Sequence, residues 1–196
     1  MPKLGMEPIR KAALVNATIS EIGRIGSLDV TVSQIARRAG MSSALAHHYF
    51  GSKEAMFLAA MRHILTLYGA EVRGALALAD GPEARLRAVL RASFSAGNFR
   101  REVVGAWLNF WVLAQTVPGA KRLLAVYQRR LRSNLLAGLR PLAGDRAGMI
   151  AEGLGALIDG LYLREVLKSG PPDAGAAVAS ALDYLAAQLH LQAAAA

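Results

Sequence analysis

Apolar residues recur every three or four positions along nearly the whole chain, a spacing that lines them up on one face of an α-helix. Turn residues cut this pattern into segments. The first predicted helix covers 8–25, with Leu14, Thr18, Ile22 and Ile25 facing inward, and Gly26 closes it. Two short helices follow, over 31–39 and 42–49. A long helix is predicted from Lys53 to residue 78, carrying Met56, Phe57, Ala60, Ile64, Leu67 and Tyr68, before the turn Asp80-Gly81-Pro82. Further helices are predicted over 83–95, over 100–116, from after Pro118-Gly119 to 141, over 146–168, and over 173–192. Ser169-Gly170-Pro171-Pro172 separates the last two, and 193–196 are expected to fray. No stretch alternates with the period of a strand and no segment repeats, so the fold class is all-α.

Segment 31–53 carries the most specific signal. Thr31 precedes Gln34 by three residues, which is a capping box at a helix start. Val32, Ile35, Ala36 and Ala39 share one face, and Gly40 follows where a left-handed residue ends a helix. Ser42 is placed to cap the second short helix. Two helices joined by so short a turn form a helix-turn-helix, which sets the second helix into the major groove of DNA. The charge agrees: 23 Lys and Arg against 14 Asp and Glu give a net +9, which suits an anionic partner. The chain has no cysteine, so disulfides and thiolate metal sites are excluded. No signal-peptide core follows the N-terminus. The apolar stretch 153–163 is too short to span a bilayer and contains Asp159. We expect a soluble, cytoplasmic protein without a membrane partner.

Thr31 to Lys53 resembles the DNA-binding domain of the TetR family of bacterial repressors. The likeness extends through Leu14-Val15-Asn16-Ala17, Gly26 and Glu54-Ala55-Met56. The opening Met-Pro-Lys-Leu-Gly-Met-Glu-Pro-Ile-Arg and segments 106–111, 129–135 and 157–164 resemble the choline-responsive repressors of glycine betaine synthesis within that family. This resemblance, which covers most of the chain, implies a nine-helix protein. A three-helix DNA-binding domain would occupy 1–52, with its motif at 31–50. A ligand-binding and dimerisation domain would occupy 53–192, joined through helix 53–78, with 193–196 as a tail.

Across the two short helices, Ile35, Ala36, Ala39, Met41, Ala46 and Phe50 should face the core, and the rest of the second helix is its outer face. Ser43, Ala44, Leu45, His47, His48 and Tyr49 then face outward. That outer face has no Arg, Asn or Gln, the usual bidentate readers of bases. Base reading should therefore rest on contact of Ala44 or Leu45 with thymine methyls, with polar help from Ser43 and His47, and on DNA shape. His48, Tyr49, Thr31, Ser42 and Lys53 are expected on phosphates. The two histidines point about 100° apart on a helix and have no nearby Cys or carboxylate, so neither a metal site nor catalysis is expected there.

The C-terminal half offers a different chemistry. Trp107 and Trp111, four apart with Phe110 beside them, form an aromatic wall on one helix. Asp159 and Tyr162, three apart, lie on another helix that is otherwise apolar. Aromatic faces and one carboxylate are what a quaternary ammonium ion needs, since its nitrogen cannot donate a hydrogen bond. Asn98, Phe99 and Tyr127 are further candidates. The competing reading makes the aromatics core residues and pairs Asp159 with an arginine, such as Arg164 of the partner chain or one on another helix. Ile150, Leu154, Leu157, Ile158 and Leu161, with Val178, Leu182, Leu185 and Leu189, are expected to build a homodimer interface from the last two long helices. Gly153, Gly155 and Gly160 would allow a close approach there. Arg129, Arg130 and Arg132 read as a solvated face.

No nucleophile with a paired base, no metal set and no phosphate loop is visible, so an enzyme is not expected. With the resemblance, the expected function is a repressor of choline-to-glycine-betaine genes, its own included. It would bind double-stranded operator DNA as a homodimer, use no cofactor, and respond to choline as a small cationic effector. The alternative keeps the fold and substitutes another cationic or hydrophobic effector, with efflux or catabolic genes as targets.

Overall fold

A computed structural model describes residues 5–193, with the side chain of residue 193 left aside. The expected fraying of 193–196 falls outside these residues but for the first of them, whose backbone closes the last helix. Nine α-helices and one short 3₁₀ turn make up the described chain, with no strand. They fall into two compact units. The first holds the residues up to 64 together with 101–123, and the second holds 65–100 and the residues from 124 on. The boundary expected after residue 52 falls inside the first unit: the long fourth helix runs through both units, and the sixth helix belongs mainly with the N-terminal ones.

In the first unit, α1 (Met6–Ile25) ends at Gly26, whose left-handed φ of 72° lets its N–H reach Ile22 O at 2.8 Å. Helix α2 (Val32–Arg38) starts with the expected capping box. The Gln34 N–H donates to Thr31 Oγ1 at 3.2 Å, and the Thr31 N–H donates to Gln34 Oε1 at 2.7 Å. Gly40 takes φ 68°, and Met41 N–H then donates to Ala36 O at 2.8 Å, which closes the turn. Helix α3 (Ser43–Phe50) is capped by Ser42 Oγ, which accepts from Leu45 N–H at 3.2 Å. Ile35, Ala36 and Ala46 are fully buried, while Ala39, Met41 and Phe50 are half-buried. Leu14, Ile22, Met56 and Met61, the last two from α4 (Lys53–Ala77), fill the same core.

The most extensive packing between helices among the described residues joins α1 to α6, which spans Arg101–Thr116. Two glycines make it possible. A Cβ on Gly105 would lie 3.2 Å from Gly23 Cα, and a Cβ on Gly23 would lie 2.5 Å from Glu102 Cα. Only at such positions can two helix backbones touch directly.

In the second unit, α5 (Gly81–Ser93), the body of α7 (Pro118–Ala143), α8 (Ala147–Leu167) and α9 (Ala174–Ala193) surround Leu86, Leu90, Phe94, Leu135, Leu139 and Ile150. Helix α7 continues past the expected end at Pro141, because a proline in the last turn removes one hydrogen bond without stopping the helix. The loop from α8 to α9 is held by Glu165, which is buried, pairs with Lys168 and accepts from Asp173 N–H at 3.0 Å.

The burial on α8 and α9 corrects one expectation. Ile150, Leu154, Ile158 and Leu185 are buried within the unit and are its core, so they are not available to a second chain. Gly153 serves the approach of α9 in the same chain, where the Tyr184 ring packs against it. The apolar side chains left exposed on these helices are Met149, Leu163, Leu167 and Leu191. Helical period alone marks an apolar stripe but does not say which side of a two-faced helix meets its own core.

Candidate nucleic-acid interface and effector site

The caps of α2 and α3 fix how the helix-turn-helix presents its outer face. Ala44, His47 and His48 are exposed, and Ser43, Leu45 and Tyr49 are half-buried. All the expected DNA residues, Thr31, Ser42, Ser43, Ala44, Leu45, His47, His48, Tyr49 and Lys53, lie in the first unit. The Thr31 and Ser42 side chains act as caps, each accepting from a backbone N–H of the helix it starts. His47 Nδ1 lies 3.3 Å from Gly51 O, which ties the exposed imidazole to the end of α3. Lys53 Nζ donates to Leu28 O at 3.0 Å and sits 5.5 Å from the centre of the Phe57 ring. Its charge is thus held at the start of α4. No group of residues fit to hold a metal ion occurs among the described residues.

The expected effector residues divide between the units. Trp107, Phe110 and Trp111 belong to the first. Trp107 and Phe110 are buried, Trp111 is partly exposed, and the two indoles lie 6.5 Å apart at 44°. Asp159 and Tyr162 belong to the second, where the structure joins them to a larger aromatic group. The Tyr162 hydroxyl donates to Ser93 O at 2.6 Å, and its ring lies 4.9 Å from Phe99 and 5.9 Å from Phe94. Tyr68 shares a 3.2 Å hydrogen bond with Ser93 Oγ and meets Tyr127 edge to face at 5.6 Å.

Asp159 is half-buried beside these rings, and its carboxylate makes no ion pair or hydrogen bond with the described residues of its own chain. Burial alone pushes its carboxyl up to about 6. The carboxylate in turn raises the hydroxyl pKa of Tyr68, Tyr127 and Tyr162, after the larger effect of burial on each. A half-open groove of about 400 Å³ between α7 and α8 reaches this group, lined in part by Tyr127, Leu131, Leu135, Gly155 and Asp159 and, among charged residues, also by Arg129, Arg132 and Glu152. Its size is that of a small-molecule site.

Two members of this group were not expected from the sequence. Tyr68 reads there as one more residue of an inner stripe. Glu71, on the same helix, is not singled out by the sequence pattern at all. In the structure Glu71 accepts from Ser95 Oγ and, at 2.5 Å, from Asn98 Nδ2, and its charge acts on Tyr162. The signal that could have found them is a tyrosine and a glutamate three apart on one helix.

Comparison with known proteins agrees with the architecture. A profile of bacterial regulatory proteins of the tetR family matches residues 14–60, and a profile described as BetI-type transcriptional repressor, C-terminal, matches 82–190. The chain belongs to the TetR family of bacterial transcriptional regulators, which bind operator DNA, act as dimers and are not enzymes. Within that family its C-terminal domain is of the BetI repressor type. The HTH-type transcriptional regulator BetI of Brucella suis biovar 1 (strain 1330) is 51% identical over 193 residues, which cover 98% of either chain. The regulator of the same name from Rhizobium meliloti (strain 1021) is 51% identical over 191 residues, 97% of this chain and 94% of the relative.

Among solved structures, a putative transcriptional regulator from Pseudomonas aeruginosa PAO1 is 28% identical with a TM-score of 0.79, covering 96% of this chain and 93% of that one. A putative transcriptional regulator from Saccharomonospora viridis, solved in complex with choline, is 21% identical with a TM-score of 0.76, covering 89% of this chain and 94% of that one. It shares the fold. No helix among the described residues is long and apolar enough to cross a membrane.

Proposed function

We propose that this BetI-type repressor controls genes for converting choline to glycine betaine, its own included, and that choline modulates its grip on the operator in the cytoplasm. The observation that carries the reading is Asp159. A half-buried carboxylate that forms no ion pair with the described residues, set beside Tyr127 and the Tyr68 and Tyr162 rings, is a receptor for a cation that cannot donate hydrogen bonds. Trimethylammonium is such a cation. The choline found in the Saccharomonospora viridis regulator supports the same chemistry. Trp107, Phe110 and Trp111 remain effector candidates on their chemistry alone.

DNA binding is assigned to residues 1–52 through Thr31, Ser42, Ser43, Ala44, Leu45, His47, His48, Tyr49 and Lys53. The ligand and dimer functions are assigned to 53–192. The dimer forms through α8 and α9, on the face that carries Met149, Leu163 and Leu167. Choline must bind the two conformers of the dimer unequally, since a ligand without differential affinity shifts nothing.

A gel-shift titration with DNA from upstream of the protein's own gene tests this. Sequence-specific binding that changes with choline, and not with glycine betaine, is expected. Specific binding that choline leaves untouched sinks the choline assignment. The alternative effector, another cationic or hydrophobic molecule, would then be sought with a ligand panel.

A further inference from the structure

The first two turns of α1 meet the end of α3. Arg10 Nη1 lies 3.4 Å from the Tyr49 hydroxyl, and Lys11 Nζ lies 5.9 Å from the centre of the Tyr49 ring. The His48 ring stands 5.5 Å from that of Tyr49. Three groups that can carry positive charge and one phenol therefore converge at the edge of the recognition helix, although the sequence places Arg10 and Lys11 some forty residues earlier. Lys11 is not at rest there: Glu7, one turn back on α1, holds its ammonium at 2.6 Å, and both side chains are open to solvent. The hydrogen bond and charge of Lys11, with a smaller effect from His48, hold the Glu7 carboxyl below its usual range.

We propose that Arg10 and Lys11, gathered around Tyr49, form a second phosphate seat for operator DNA outside the helix-turn-helix, and that Glu7 occupies it as a competitor when DNA is absent. The proposal extends the reading of α3 as the DNA-facing helix. A basic cluster continuous with that helix fits a polyanion that already lies against it. The geometry also explains the competition. An exposed carboxylate one turn away gives a weak, salt-screened pair, which a phosphate with its higher charge density displaces. Tyr49 has two tasks in this arrangement. Its ring carries Lys11 and its hydroxyl fixes Arg10, so the two cations arrive in register with α3.

The test is the salt dependence of binding, because a phosphate contact changes the slope of log K against log salt and a structural role does not. Anisotropy titrations would use the full-length protein over a range of KCl, with a labelled duplex from upstream of its own gene and a scrambled duplex of the same composition. Arg10→Gln with Lys11→Gln is expected to flatten the slope by about two per protomer on both duplexes. Glu7→Gln is expected to tighten binding by roughly two- to fivefold at low salt. The charge-conserving pair Arg10→Lys with Lys11→Arg should keep the wild-type slope, and helical circular dichroism checks that each variant folds.

A wild-type slope in the double Gln variant overturns the phosphate seat. Unchanged affinity in Glu7→Gln overturns the competition. Failure of the wild-type protein to prefer the upstream duplex is a separate result. It counts against the proposed target genes, while the slopes on the scrambled duplex still decide the phosphate seat.

Discussion

Glu21 of α1 accepts a 2.6 Å hydrogen bond from Arg38 Nε in the last turn of α2, while its other oxygen accepts from Arg24 at 2.8 Å. The Glu21 residue is 6% exposed, and burying its carboxylate without partners would be costly. The two arginines make the position tenable, and the bond from Arg38 ties the helix-turn-helix to α1. Glu21→Gln is expected to cost about 1–2 kcal/mol, at the lower end for a charged hydrogen-bonded group because both arginines keep access to water. A thermal melt checks this, and an unchanged midpoint would show that the tie contributes nothing.

The same pair sets part of the acid response. The hydrogen bond from Arg24, then that from Arg38, outweighs burial and holds the Glu21 carboxyl below its ordinary 4.5. A folded-state pKa below the unfolded one gives stability that is fully present above the unfolded value. It is lost as pH falls through the folded one. Glu165 follows the same sign through Lys168. Urea midpoints measured from pH 7 down to pH 3 should fall below about pH 4.5 in the wild type, and fall less steeply in Glu21→Gln.

Gly23→Ala tests the seam between α1 and α6. The new methyl group would lie 2.5 Å from Glu102 Cα, against backbone that cannot turn aside as a side chain can. Helix propensity alone favours the substitution by about 1 kcal/mol, whereas overpacking costs about 1–3 kcal/mol. The contact should win, so a net loss of stability is expected. Gly74→Ala, on α4 with nothing within 4 Å, is the control and should stabilise. Chemical denaturation of both variants gives the comparison, and a stabilised Gly23→Ala would show that the helices are not so close.

Helix boundaries and the helix-turn-helix were legible because their causes are local. Thr31, Gln34, Ser42, Gly26 and Gly40 act within a turn of where they stand, and the structure finds each doing so. The aromatic group was half legible. Asp159 stood out because a carboxylate on an apolar stripe needs an explanation, and Tyr162 followed it at helical spacing. Tyr68 and Glu71 reach the same group from residues far along the chain, on a helix whose pattern looks ordinary. The α8 and α9 stripe was legible only in part for the opposite reason: period gives a face, and only tertiary packing decides that Ile150, Leu154, Ile158 and Leu185 look inward while Met149 does not. The seam at Gly23 and Gly105 joins residues some eighty apart, and no local rule connects them.

Asp159→Asn should separate stability from response. Burial raises the Asp159 carboxyl from its ordinary 3.8 to about 6. Its folded pKa lies above its unfolded one, so the folded state is favoured at low pH and loses stability as pH rises from about 4 to 6. Above that window the penalty is constant and amounts to at most about 3 kcal/mol. Asparagine keeps the shape and removes the charge. The ligand-free variant should melt higher than the wild type at pH 7.5, with a gap that closes as pH falls towards 4. Choline should raise the wild-type melting point and leave that of the variant unmoved. In the wild type its affinity should weaken about tenfold for each pH unit below 6, as the carboxylate takes up a proton that the cation must displace. Calorimetric titration with choline at pH 5, 6 and 7.5 reads that loss directly. A variant that melts lower than the wild type, or still answers to choline, would mean that Asp159 is a structural residue and that the cation, if one binds, sits elsewhere.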